Sequence, residues 1–158
     1  MIKKLSLLTL IALVAASCET EFAAAVVNQE KDIDNYLSAN FSGYEVVRNG
    51  GSNRVVISEG HGEPVAKGDS VFFLFNGFVM GSSGPKIQFA SDSAAIEIGR
   101  ESLVKGVEDG IVGMKEGEEA LILFTAEYGF GKEAVGLVPE QSALMYQIYI
   151  NKLKKNSR

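Results

Sequence analysis

The chain has no tryptophan, one cysteine and one histidine among its 158 residues. A single cysteine closes no internal disulfide. One cysteine and one histidine also fall short of the clustered ligands of a zinc site and of the usual pairs of nucleophilic catalysis. The lone histidine, His61, lies between Gly60 and Gly62 and reads as an exposed turn residue. Three prolines make no proline-rich linker, and no internal repeat is visible. Basic residues are in short supply: 15 against 20 acidic ones, or 13 against 20 once Lys3 and Lys4 are set aside. Such a surface displaces few counterions, which argues against a nucleic-acid binder. A composition of 46% hydrophobic and 22% charged residues fits one folded domain with a core of its own. Neither a cofactor nor a metal is expected.

Lys3 and Lys4 precede an apolar run from Leu5 to Val14, broken only by Ser6 and Thr9 and followed by the small residues Ala15, Ala16 and Ser17. That is the layout of a secretory leader, and the run is shorter than the roughly 20 residues that cross a bilayer. Ala15-Ala16-Ser17-Cys18 resembles a bacterial lipobox, with Ala15 where leucine is usual. The resemblance implies that residues 1–17 are a lipoprotein-type signal peptide and that Cys18 becomes a lipidated amino terminus. The expected location is then the cell envelope, on the periplasmic side or the cell surface of a bacterial outer membrane. Residues 18–27 read as a tether behind that anchor.

Residues 28–42 are expected to form an N-terminal helix. Ile33, Tyr36, Leu37 and Phe41 follow the i, i+3, i+4 rhythm of one buried face, Asn28 is a candidate cap and Gly43 a stop. Two β-rich stretches, 44–48 and 54–57, flank a turn at 49–53. A strongly apolar strand covers 70–75 and ends at Asn76-Gly77, with 78–80 as a candidate continuation past a bend. Short strands come next at 87–89 and 96–98. Residues 103–112 read as a helix, with Leu103, Val104, Val107, Ile111 and Met114 on one stripe and Ser102 as N-cap. Gly106 and Gly110 each cost a helix about 1 kcal/mol relative to alanine, so a close neighbour is expected there. A strand at 120–124, a glycine-rich loop at 126–136, a last strand at 143–150 and a basic tail at 153–158 complete the chain. The pattern is α+β with an antiparallel sheet.

From Gly68 onward, six segments resemble, in order, those of the FKBP-type peptidyl-prolyl cis-trans isomerase family. Gly68-Asp69-Ser70-Val71 with Phe75-Asn76-Gly77 resembles its opening strand, and Leu103 to Gly110 resembles its short helix. Met114-Lys115-Glu116-Gly117-Glu118 is similar to its Met-x-x-Gly-Glu turn, and Tyr128-Gly129-Phe130-Gly131 to its aromatic pocket loop. Leu137-Val138-Pro139 and Leu144-Met145-Tyr146-Gln147-Ile148 correspond to Ile-Ile-Pro and to the closing Leu-x-Phe-x-Val strand. The resemblance implies an FKBP-like fold over residues 43–152, a twisted antiparallel sheet wrapped around one short helix. It also implies a substrate pocket lined by Phe75, Phe89, Leu103, Val104, Val107, Phe130, Val138 and Tyr146, with the Val104 backbone N–H as a donor to the ligand.

The implied activity is prolyl isomerisation on proline-containing proteins, in aid of the folding of exported chains. An X–Pro bond turns only when amide resonance is broken, against a barrier of about 18–20 kcal/mol. An apolar pocket lowers that barrier without a nucleophile or metal, because the twisted imide carries less charge on its oxygen than the planar one and suffers less from a dry site. Several positions depart from the family pattern. Val107 stands in place of a floor tryptophan, Phe130 and Phe75 in place of tyrosines, and Ala90 where an aspartate is usual, with Asp92 two residues on. These departures keep open a second reading, a non-catalytic FKBP-like module or chaperone that binds proline-containing or apolar segments.

Overall fold

The computed structural model describes residues 2–100 and 103–156, with side chains from Glu19 onward. The expected cap Ser102 and the side chain of Cys18 lie outside the described residues. Six strands, β1 (Val46–Asn49), β2 (Ser52–Ser58), β3 (Ser70–Gly81), β4 (Gly84–Glu97), β5 (Glu119–Phe124) and β6 (Leu144–Lys154), make one antiparallel sheet in the order β1-β2-β5-β6-β3-β4. Two helices, α1 (Ile2–Asn40) and α2 (Lys105–Ile111), accompany it.

Strand alternation sends successive side chains to opposite faces, and both faces are apolar. One face, with Phe73 and Phe75 of β3, Ala120, Ile122 and Phe124 of β5, and Leu144, Tyr146, Ile148 and Ile150 of β6, packs on Val107 and Ile111 of α2. The other, with Val55 of β2, Leu121 and Leu123 of β5, Met145 of β6 and Met80 of β3, packs on Ile33, Tyr36 and Leu37 of α1 and on Phe41 just after it. The expected α1 stripe is thus spent on the chain's own sheet.

Several boundaries differ from those read in the sequence. Residues 19–27 are helical rather than a tether. The segment is rich in Ala and Glu, both good helix formers, and it extends the buried stripe upward through Val26, which is 9% exposed. The piece at 87–89 and the first two residues of the piece at 96–98 belong to one strand, β4, of 14 residues that ends at Glu97. Its middle lacks apolar alternation, but β3 offers a ladder from Ser70 to Gly81 to pair with, and an edge strand tolerates polar side chains on both faces. Helix α2 starts two residues later than expected, because Val104 is extended (φ −58°, ψ 126°) and makes no side-chain cap. β6 runs into the supposed basic tail as far as Lys154. Asp69 ties down the next two residues, accepting hydrogen bonds from Lys155 Nζ at 2.6 Å and the Asn156 N–H at 2.9 Å. Burial alone pushes the Asp69 carboxyl up, but Lys155 and the Asn156 and Ala66 N–H groups outweigh it and hold the group below its ordinary value.

Candidate functional site

On the α2 face the apolar layer is not closed over. Val107, Val138 and Tyr146 are buried, while Phe75, Phe89, Leu103, Val104 and Phe130 are half-buried and pack around the same cluster. All eight residues singled out in the sequence therefore belong to the apolar cluster on this face, three of them buried and five half-buried against it. Aromatic rings dominate it. Tyr146 lies 5.8 Å from Phe75, and Phe89 stands edge-on to Tyr146 at 5.7 Å and to Phe130 at 6.5 Å. Such edge-to-face pairs set the relative orientation of the rings as well as burying area. Phe89 reaches over Gly77 on the neighbouring strand, where an added Cβ would fall on its ring.

The floor has a component that the sequence did not reveal. Phe124, fully buried on β5, stacks on Tyr146 with ring centroids 5.8 Å apart and planes 17° from parallel. Its ring occupies the space where a Cβ on Gly106 would go, and Ile122 does the same at Gly110. This is the close neighbour that the two helix glycines implied. With Val107 rather than a tryptophan on the helix, aromatic bulk reaches the floor from the sheet.

Polar groups are few. The Val104 carbonyl accepts from the N–H groups of Val107 and Glu108, at 2.9 and 3.1 Å, while the Val104 N–H donates to no group among the described residues. Burial pushes the Tyr146 phenol up to about 12. Asp92 pairs across the ladder with Phe75, and Ala90 with Gly77. The Asp92 carboxylate is exposed and accepts the N–H of the adjacent Ser93 at 2.7 Å. The arrangement supplies a ring-rich, half-exposed apolar surface beside a backbone donor that has no partner among the described residues, and no nucleophile–base pair among them.

Residues 61–151 match the family described as FKBP-type peptidyl-prolyl cis-trans isomerase. The chain belongs to this family. FKBP relatives with curated names include FK506-binding protein 1 of Aspergillus oryzae, 26% identical over 114 residues that span 65% of this chain and 98% of the relative. A peptidyl-prolyl cis-trans isomerase of Schizosaccharomyces pombe is 30% identical over 103 residues, 62% of this chain and 90% of its own. Among solved structures, the N-terminal domain of FKBP42 from Arabidopsis thaliana superposes with a TM-score of 0.63 at 23% identity, covering 70% of this chain and 93% of that domain. That last likeness supports the fold.

The FKBP helix is held in place by the β1–β2 hairpin, through residues that local sequence reasoning passed over. Arg54 Nη1 donates to the Gly110 and Val112 carbonyls at 3.0 and 2.9 Å. These carbonyls lie at the C-terminal end of α2, where backbone acceptors are left over and a cation is favoured. Ser52 Oγ donates to the Gly106 carbonyl, and Asn49 Nδ2 to that of Asp109 at 2.8 Å. The Arg54 guanidinium also faces Glu118, at 3.5 Å from Nε to Oε1, both side chains being buried. Burial raises the Glu118 carboxyl above its ordinary value, and the Lys115 N–H and Arg54 offset this only in part.

A second brace comes from α1. The Gln29 amide spans the two ends of the pocket loop: its Oε1 accepts the Ala126 N–H at 2.8 Å and its Nε2 donates to the Gln141 carbonyl at 2.7 Å. Between those ends lie Phe130 and Val138. The only hint in the sequence was a polar residue on the stripe of Phe22, Val26 and Ile33.

Proposed function

We propose that this FKBP chain is a peptidyl-prolyl cis-trans isomerase. The reading rests on one observation above all: a half-exposed cluster of aromatic and aliphatic side chains beside a backbone donor, the Val104 N–H, that has no partner among the described residues. A pyrrolidine ring settling on the half-exposed Phe75, Phe89 and Phe130 leaves water behind. The Val104 N–H, committed to no described acceptor in the chain, donates to a substrate carbonyl and fixes the peptide. In that dry setting the planar imide, with its larger charge separation, is disfavoured relative to the twisted one, and the bond turns.

The test is a protease-coupled isomerisation assay on a proline-containing anilide peptide with the purified chain. We expect a rate above buffer that saturates with peptide. A rate equal to buffer, at protein concentrations that bind the peptide, would leave the second reading, a binding module. That reading is favoured by the absence of a hydroxyl on Phe75 and Phe130.

We further propose that Cys18 is lipidated and anchors the chain in a bacterial envelope, where its substrates are exported proteins. The motivation is the lipobox-like run ending at the only cysteine of the chain. Expressed in a bacterium, the protein is expected in the membrane fraction, with Cys18→Ser released from it. Equal partition of the two forms would reject the anchor.

A further inference from the structure

Tyr146 is only 6% exposed. Its ring is fixed on three sides by Phe75, Phe89 and Phe124, none of which carries a polar side-chain atom. Its hydroxyl nevertheless makes no hydrogen bond to any described residue. Buried phenols ordinarily find a partner, because an unsatisfied polar group in apolar surroundings is destabilising. Nor is this oxygen sealed away. The polar side-chain atoms that are both sealed from solvent and unpartnered, among the described residues, are Arg54 Nε, Glu118 Oε1 and Thr125 Oγ1. The Tyr146 oxygen is therefore without a partner among the described residues yet not sealed from solvent, on a ring packed against the half-exposed Phe75 and Phe89.

We infer that the Tyr146 hydroxyl is a substrate-contacting group that donates a hydrogen bond to a peptide carbonyl oxygen in the hollow. This rests on the isomerase-or-binder reading of the same site and adds to it the polar contact that the rim lacks. The direction of the bond is set by the ligand's chemistry. A segment centred on proline is poor in N–H groups and keeps its carbonyls, so a site for it needs donors. The Val104 N–H and the Tyr146 O–H, neither of which has a partner among the described residues, both supply one. With its pKa pushed up to about 12, the phenol keeps its proton across the neutral range and stays a donor. The class of ligand is thus an X–Pro peptide with an unhindered carbonyl beside the ring. A purely hydrocarbon group would leave the hydroxyl unsatisfied.

Tyr146→Phe removes one oxygen and leaves the ring stack intact, so the variant should fold. We expect its melting temperature to equal or exceed that of the parent, since an unpaired hydroxyl has been removed from an apolar site. We expect affinity for a succinylated Ala-Leu-Pro-Phe anilide, measured by calorimetry on the whole chain, to fall roughly three- to tenfold. A structural role would move these two readouts in the same direction, so their opposition is diagnostic. If the parent binds the peptide and Tyr146→Phe binds it equally well, the inference is wrong and the proposed function stands. If the parent binds without turning the peptide and the variant binds more weakly, the hydroxyl assignment stands and catalysis falls. If the parent binds no peptide at all, both are overturned.

Discussion

The two faces of the sheet are built from alternate residues of the same strands and end up differently. On the α1 face, a long helix lays Val26, Ile33 and Leu37 along the strands, and the apolar layer is covered over that length. On the α2 face, a helix of seven residues covers only part of the layer, and five of the eight predicted pocket residues stay half-exposed around it. Both faces are apolar in the sequence. What separates the covered face from the half-exposed one here is the length of the covering helix and how closely it sits. The glycines at 106 and 110 let α2 drop onto Phe124 and Ile122, so the floor is tight while the rim remains open.

Removing what holds α2 should have the largest effect on this contrast. Arg54→Ala strips the last carbonyls of α2 of their donor and leaves the Glu118 carboxyl buried without its cation. Breaking a buried pair from one side costs about 3–5 kcal/mol. The expected outcome is a marked drop in the urea midpoint, accompanied by loss of peptide binding as the short helix loosens. A midpoint within error of the parent's would show that α2 is positioned by apolar packing alone.

A smaller effect tests whether the covered face supports the open one. Gln29→Ala deletes the two hydrogen bonds that pin the ends of the pocket loop, each worth about 0.5–1.5 kcal/mol. Hydrogen exchange at the Ala126 amide should accelerate, and peptide affinity should weaken modestly, while exchange in the β5–β6 ladder stays unchanged. Unaltered exchange at Ala126 would mean that the loop holds its own shape and that α1 merely covers its face of the sheet.

Much of the fold was legible because FKBP motifs are local. Gly68-Asp69, the Met114 turn and the Phe130 loop each occupy a few consecutive residues, and the helix read from Leu103 forms from Lys105 onward. The boundaries that moved did so for non-local reasons. β4 is held as a strand by β3, and the chain just past β6 by Asp69, neither of which shows in the segment itself. The same holds for the residues that were missed. Gln29 acts on atoms 97 and 112 positions away, and Arg54 on atoms 56 and 58 positions away. Phe124 was read simply as part of a strand, and its place under Tyr146 was signalled only indirectly, by Gly106.

The sequence by itself determined the family, the α+β layout and the apolar stripe of α2 and the strands it packs on, because these depend on short-range pattern and on residue type. Only the tertiary structure decided that Phe124 supplies the aromatic floor that Val107 does not, that the β1–β2 hairpin and α1 hold the pocket's helix and loop, and that the Tyr146 hydroxyl has no partner among the described residues. Each of these depends on which distant groups reach hydrogen-bonding or van der Waals distance, and a one-dimensional pattern does not encode that separation.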